Sequence, residues 1–168
     1  LTGRNSDHKQ YSELAENIRI AFNKRFYKGD GIYANGEMTA MGCALYQGLA
    51  SDGEKRKVAD QLAKAVKEND YKADFGILGA KYIPRVLADN GYVELAYRLI
   101  TQPEFPGWVH WLKQGATTLW ESWKGNSSRN HIMFGDISAW MYQYLGGITP
   151  RKTPGLNMSS LNRIRFPG

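Results

Sequence analysis

Cysteine is nearly absent from this sequence: Cys43 is the single one. An internal disulfide framework and a multi-cysteine zinc site are therefore excluded. Cys43 lies in the apolar run Met38-Thr39-Ala40-Met41-Gly42-Cys43-Ala44-Leu45, which predicts a buried thiol rather than a nucleophile. Histidine is also scarce. His8, His110 and His131 show no metal-ligand spacing, and no HExxH element, Gly-rich phosphate loop or GxSxG elbow occurs. Neither a metal nor a cofactor is expected. No apolar run approaches the roughly 18 residues of a membrane-spanning helix. The start, Leu1-Thr2-Gly3-Arg4, has neither an initiator methionine nor the apolar segment of a signal peptide, so the sequence is expected to begin inside a longer chain. The compartment stays open.

Charge is present but not concentrated. The formal net charge is +6, from 22 Lys and Arg against 16 Asp and Glu. Basic residues cluster only at Lys55-Arg56-Lys57 and in the tail, at Arg151-Lys152, Arg163 and Arg165. Nucleic-acid binders concentrate such charge on one face, so no nucleic-acid partner is expected. A mildly basic surface would instead favour acidic ligands. At 168 residues, 42% of them hydrophobic, the chain has the length and composition of one globular domain.

Apolar periodicity predicts seven helices. Residues 7 to 27 carry the stripe Tyr11, Leu14, Ala15, Ile18, Ala21, Phe22 and Phe26, with Ser6 or Asp7 as cap and Gly29-Asp30-Gly31 as stop. A short extended piece is expected at Ile32-Tyr33. The second helix, about 37 to 50, is apolar on most sides, and its Ala40, Gly42, Ala44 and Gly48 would let a neighbour approach closely. The third, about 53 to 69, has Val58, Leu62, Ala65 and Val66 on one side and faces water on the other. A fourth begins near Ala80, which leaves Pro84 in its first turn, and stops at Asn90-Gly91. The fifth, about 92 to 101, turns Val93, Ala96, Tyr97 and Ile100 inward. A loop bracketed by Pro103 and Pro106 leads to Trp108 and Trp111, then to a short helix at about 116 to 123. Asp136 caps the last helix, which bears Ile137, Trp140, Met141, Tyr144 and Leu145. Short connections favour antiparallel neighbours, so the fold class is all-α, built of stacked α-hairpins.

The chemistry concentrates between Gly115 and Gly147. Three of the five tryptophans, Trp120, Trp123 and Trp140, stand there around one glutamate, Glu121, and one histidine, His131. Apolar flanks disfavour a charged carboxylate, the direction that acid–base work near neutral pH requires. Against this stands the simpler reading of a solvated helix-turn glutamate. His131 offers a donor or an acceptor at each ring nitrogen, for structure or for a hydroxyl-rich ligand. Trp108 and Trp111 read either as a packing pair or as part of a cleft with Glu121. Aromatic planes beside carboxylates and amides suit the apolar faces and hydroxyl rims of sugars.

The segment Gly115-Ala116-Thr117-Thr118-Leu119-Trp120-Glu121, followed by Asn130-His131 and Phe134-Gly135, resembles the C-terminal part of the catalytic domain of bacterial α-L-rhamnosidases. Phe75-Gly76-Ile77-Leu78-Gly79, Leu87 to Gly91, Ala96-Tyr97 and Pro106-Gly107-Trp108 are similar to that family's approach to the motif, so the resemblance covers about residues 1 to 150. It implies an (α/α)6 toroid of the six-hairpin glycosidase type, with about seven of twelve helices here. Residues 1–148 would form the C-terminal half of the helical domain, and 149–168 an exit tail towards a C-terminal β-sandwich. It further implies an inverting hydrolase, in which one carboxylic acid protonates the leaving oxygen and a carboxylate about 6.5–9.5 Å away activates water.

On this resemblance Glu121 is the general base and His131, with Asn130, holds the sugar. Trp108, Trp120 and Trp123 line the cleft or pack behind it. The family's acidic motif for the general acid has no match: Glu37, Asp74, Glu104 and Asp136 lie outside such a context. The general acid is therefore expected upstream, and the chain alone is expected to be inactive. The implied partners are a rhamnose-containing glycan and the rest of the chain's own catalytic domain. Two rivals are a six-hairpin glycosidase of different sugar specificity and a helical domain that binds glycans without cleaving them.

Overall fold

A computed structural model describes residues 3–149 and 160–161. The elements in order are α1 (Asn5–Phe26), β1 (Tyr27–Gly29), β2 (Ile32–Tyr33), α2 (Met38–Tyr46), α3 (Lys55–Glu68), α4 (Ile77–Asp89), α5 (Val93–Thr101), α6 (Trp108–Lys113) and α7 (Asp136–Trp140). A single 3₁₀ turn, Ile132–Phe134, leads into α7, and a π turn, Met141–Leu145, continues it. The strands β3 (Ile148–Thr149) and β4 (Ser160–Leu161) pair antiparallel. The rest of the expected exit tail lies outside the described residues.

Helices α2, α4 and α7 form one layer and run in the same direction. Gly42 of α2 faces Ile83 of α4, where an added Cβ would stand 3.0 Å from Ile83 Cγ1. One turn earlier on both helices, an added Cβ on Gly79 would stand 2.8 Å from Thr39 Oγ1, so the two helices advance together, and Tyr46 stacks on Tyr82 with ring centroids 4.5 Å apart. Gly42 thus lets α4 approach, whereas Gly48, expected to do the same, lies beyond the end of α2 with no atom within 4 Å of an added Cβ. Along α7, Asp136 meets Arg85, the Trp140 indole N–H donates to the Pro84 carbonyl at 2.9 Å, and the Tyr144 hydroxyl donates to Asp89 at 2.5 Å. From Trp140 to Tyr144 in the following π turn the contacts advance from Pro84 to Asp89 along α4, while the long Arg85 side chain reaches back to Asp136. Between these members, α3 and α5 return in the opposite sense. Their buried stripes, Val58, Leu62 and Val66 on α3 and Leu95, Ala96, Leu99 and Ile100 on α5, close the core from behind. Tyr97, expected to face inward, is 40% exposed.

Several local expectations are corrected. Helix α1 starts at Asn5 without a side-chain cap, and Asp7 sits in its first turn, where a carboxylate suits the helix dipole. Gly29-Asp30-Gly31 does not stop α1, which ends at Phe26. Those three residues instead turn β1 back on β2, where Tyr27 pairs with Tyr33. Helix α4 begins three residues earlier than expected, so Pro84 lies inside it. An interior proline forfeits one helical hydrogen bond, and burial of Ile83, Val86 and Leu87 against the neighbouring helices holds the helix across the gap. The helix expected at 116 to 123 is absent. An unexpected helix, α6, forms directly after the loop bracketed by the prolines, with Trp108 and Trp111 one turn apart on its buried face. Asp136 opens α7 without capping it.

Helix α1 buries none of its residues, and its expected stripe stands in solvent: Tyr11 is 66% and Ile18 54% exposed. Only its end engages the rest, through Phe22 and Phe26, whose rings lie 4.9 Å apart beside Tyr33. The open side of the layer is likewise apolar. One hollow of about 340 Å³ is lined by Phe22, Tyr33, Cys43, Leu78 and Tyr82, and another of about 420 Å³ by Leu78, Lys81, Ile132, Met133 and Ala139. Cys43, expected to be buried, is half-buried at the rim of the first hollow.

Candidate active site

Because α2, α4 and α7 are parallel, the segments that lead into them meet at one end of the layer. Those segments carry Glu37, Asp74 and His131. Glu121 joins them through the backbone. Thr117, Thr118 and Trp120 belong to the β-branched and aromatic types that favour extended chain, and here Thr118–Glu121 runs beside Ser128–His131. The His131 N–H donates to the Leu119 carbonyl at 2.9 Å, and the Glu121 N–H to the Ser128 carbonyl at 2.9 Å. The Thr118 hydroxyl donates to the Arg129 carbonyl. This pairing is why the expected helix does not form: its backbone groups are already taken.

Adjacent residues of an extended chain point to opposite sides. Trp120 accordingly turns inward and is 6% exposed, while Glu121 is exposed to solvent. The apolar enclosure expected for the Glu121 carboxylate is therefore not built from its neighbours. Its Oε2 accepts the Ser128 N–H at 3.2 Å instead. His131 is half-buried, and its Nδ1 accepts the Met133 N–H at 3.4 Å, which caps the 3₁₀ turn. An accepting Nδ1 assigns the proton of the neutral ring to Nε2, so His131 presents a donor. Asn130 is exposed, with its backbone N–H directed to the Ser128 hydroxyl at 3.4 Å.

The indoles do not surround Glu121. Trp108, Trp111, Trp120 and Trp123 pack with Phe75 and Phe134 into an aromatic cluster behind the site, with Trp111 and Trp123 centroids 4.7 Å apart and Trp123 and Phe134 4.4 Å apart. Three of their N–H groups are held by carbonyls: Trp108 by Phe134, Trp111 by Trp123 and Trp123 by Phe75, at 3.2, 3.0 and 2.7 Å. A buried indole N–H requires such a partner. Trp108 and Trp120 are buried within this cluster, and Trp123 is half-buried.

The remaining acids sort by their partners. Asp136 is taken by Arg85, and Glu104 pairs with Lys113 at 3.5 Å. Glu37 and Asp74 line a polar cavity of about 450 Å³ with Thr39, Asn69 and Phe75. In sequence they lacked any motif, and the signal that places them together is their position just ahead of two parallel helices. The Trp123 bond to the Phe75 carbonyl ties this cavity wall to the loop that follows Glu121. Among the described residues, no group of three or more His, Cys, Asp or Glu is placed to hold a metal ion, and no helix is long and apolar enough to cross a membrane.

Residues 1–145 match the family model described as the bacterial alpha-L-rhamnosidase 6 hairpin glycosidase domain. An alpha-L-rhamnosidase of Streptomyces avermitilis is 31% identical over 86% of this chain and 15% of its own length. One from Formosa agariphila is 30% identical over 89% of this chain and 18% of its own. Among solved structures, the Streptomyces avermitilis alpha-L-rhamnosidase complexed with L-rhamnose superposes with a TM-score of 0.80 at 31% identity, covering 84% of this chain and 15% of that one. The Dictyoglumus thermophilum alpha-L-rhamnosidase gives 0.79 at 36% identity, covering 88% and 17%. The chain thus spans less than one-fifth of the length of these relatives.

Proposed function

Since the chain belongs to the six-hairpin glycosidase domain family of bacterial α-L-rhamnosidases, we propose that it supplies the base side of a glycosidase active site acting on terminal α-L-rhamnose with inversion. The observation that carries this reading is the backbone pairing of Thr118–Glu121 with Ser128–His131, which holds a solvent-facing carboxylate and a histidine donor on adjoining segments at the open end of three parallel helices. In the proposed reaction one Glu121 oxygen stays with the Ser128 N–H and the other takes a proton from water. The water oxygen bonds to the anomeric carbon as the glycosidic C–O bond breaks, and the leaving oxygen takes a proton from a carboxylic acid opposite. That acid comes from a segment outside this sequence. The Nε2–H of His131 and the amide of Asn130 hold sugar hydroxyls, while Trp108, Trp120 and Trp123 fix the segment from behind. The exposed stripe of α1 and the apolar hollows beside Leu78 receive the remaining helices of the toroid.

The test is Glu121→Gln in the complete enzyme, assayed on an aryl α-L-rhamnoside. The expected result is a kcat lower by about 10²–10⁴-fold, the contribution typical of a positioned general base, with KM changed far less. A near-wild-type rate removes Glu121 from the base role. Turnover by the 168-residue chain alone would remove the need for an acid from elsewhere.

A further inference from the structure

The loop between the two paired segments of the site is made of residues that order themselves poorly. Lys124-Gly125-Asn126-Ser127-Ser128 is exposed apart from Gly125, and small polar loop tips are the mobile parts of proteins. Yet Ser128 is the residue that holds Glu121 twice, its carbonyl accepting the Glu121 N–H and its own N–H reaching the carboxylate. Whatever fixes the Ser128 peptide fixes the Glu121 carboxylate.

Arg129 does so from the next position in the chain. Its guanidinium carbon stands 4.8 Å from the centre of the buried Trp120 ring, within reach of cation–π attraction. Its Nε–H donates to the Gly125 carbonyl at 3.1 Å, which draws the loop tip back under the indole. At its other end the Arg129 carbonyl accepts the Thr118 hydroxyl, on the segment that carries Glu121. Gly125 completes the ring: an added Cβ would stand 2.4 Å from Trp120. We infer that Arg129 is a positioning residue for Glu121, latching the Glu121–Ser128 loop against Trp120 so that the carboxylate keeps one orientation. This rests on the reading of Glu121 as the reacting carboxylate, but the latch itself is testable without turnover.

An amide proton donated to a carboxylate shifts when that carboxylate ionises, so the Ser128 amide signal reports the contact by NMR across the carboxylate range of pH. In the 168-residue chain, the Ser128 signal is expected to move with pH, and this movement is expected to vanish in Glu121→Gln. In Arg129→Met the movement should shrink at least twofold while the Trp140 indole signal, remote from the loop, stays in place. Should Arg129→Met lose its dispersed spectrum, Arg129→Gln, which keeps a donor for Gly125 but no charge over Trp120, replaces it with the same expected loss. An undiminished movement in a folded Arg129 variant overturns the latch, and so does a Ser128 signal that ignores pH in the unsubstituted chain. Hydrolysis is not measured, so failure of the base assignment leaves these outcomes readable.

Discussion

Arg85 and Asp136 meet as a two-pronged pair, Nε to Oδ2 at 2.6 Å and Nη2 to Oδ1 at 3.2 Å, with both side chains about one-quarter exposed. The pair joins the middle of α4 to the first residue of α7, five residues after His131. A third bond, from Arg85 to the Gln143 side chain at 3.3 Å, extends it along the following π turn. Hydrogen bonding to Asp136 raises the Arg85 guanidinium above its ordinary range. Removing one partner leaves the other's charge half-buried and unmatched, so Arg85→Met should lower stability by about 1–3 kcal/mol. Denaturant titration checks this, and Asp136→Asn should fall in the same range.

Gly125→Ala should be more disruptive than an ordinary loop substitution. Gly125 has φ +64°, which costs any L side chain about 1–2 kcal/mol, and the new methyl would press on the Trp120 ring. Gly48→Ala serves as the control, since its φ of +66° is alike but no atom lies within 4 Å. A larger drop in Tm and a larger change in tryptophan emission for Gly125→Ala are the expected readings.

Stability should decline at alkaline pH. Burial first, and the bond to Asp89 second, raise the Tyr144 hydroxyl well above its ordinary value, and burial also raises Tyr27 and Tyr33. A group whose folded pKa lies above its unfolded one binds more protons in the folded state once pH passes the unfolded value. The contribution is therefore complete below about pH 10 and is lost as pH rises beyond it. Denaturant midpoints measured from pH 8 to 11 should fall at the upper end, and Tyr144→Phe should make that fall shallower.

Cys43 should react slowly. Burial raises its thiol, and the thiolate is the reacting species. Aromatic disulfide reagents at pH 8 should label it more slowly in the folded chain than after denaturation. Equal rates would mean that the hollow at Phe22, Tyr33 and Tyr82 leaves the thiol open.

Much of this protein was legible in order of residues. The buried stripes of α2 and α3 follow from apolar spacing, and the stop at Asn90-Gly91 from its residue types, because these depend on the periodicity of one helix at a time; in α5 only Ala96 and Ile100 of the expected stripe are buried, with Leu95 and Leu99 in place of Val93 and Tyr97. The motif from Gly115 to Gly135 carried the family. Pro84 was misplaced because propensity argues against an interior proline, whereas burial of its neighbours outweighs one lost bond. Trp108 and Trp111 were read as lying beyond a loop because two prolines precede them, although their spacing of three residues already matched one helical turn.

The sequence by itself determined which residues are chemically distinctive: one glutamate among tryptophans, one histidine after an asparagine, one cysteine. Only the tertiary structure decided which way they point. Extended pairing with Ser128–His131 turned Trp120 into the core and Glu121 out to solvent, and the need of buried indole N–H groups for carbonyl partners drew the tryptophans into packing. The parallel run of α2, α4 and α7 then gathered Glu37, Asp74, Glu121 and His131 at one end. Side-chain types are fixed along the chain, but direction and company depend on contacts between segments far apart in it.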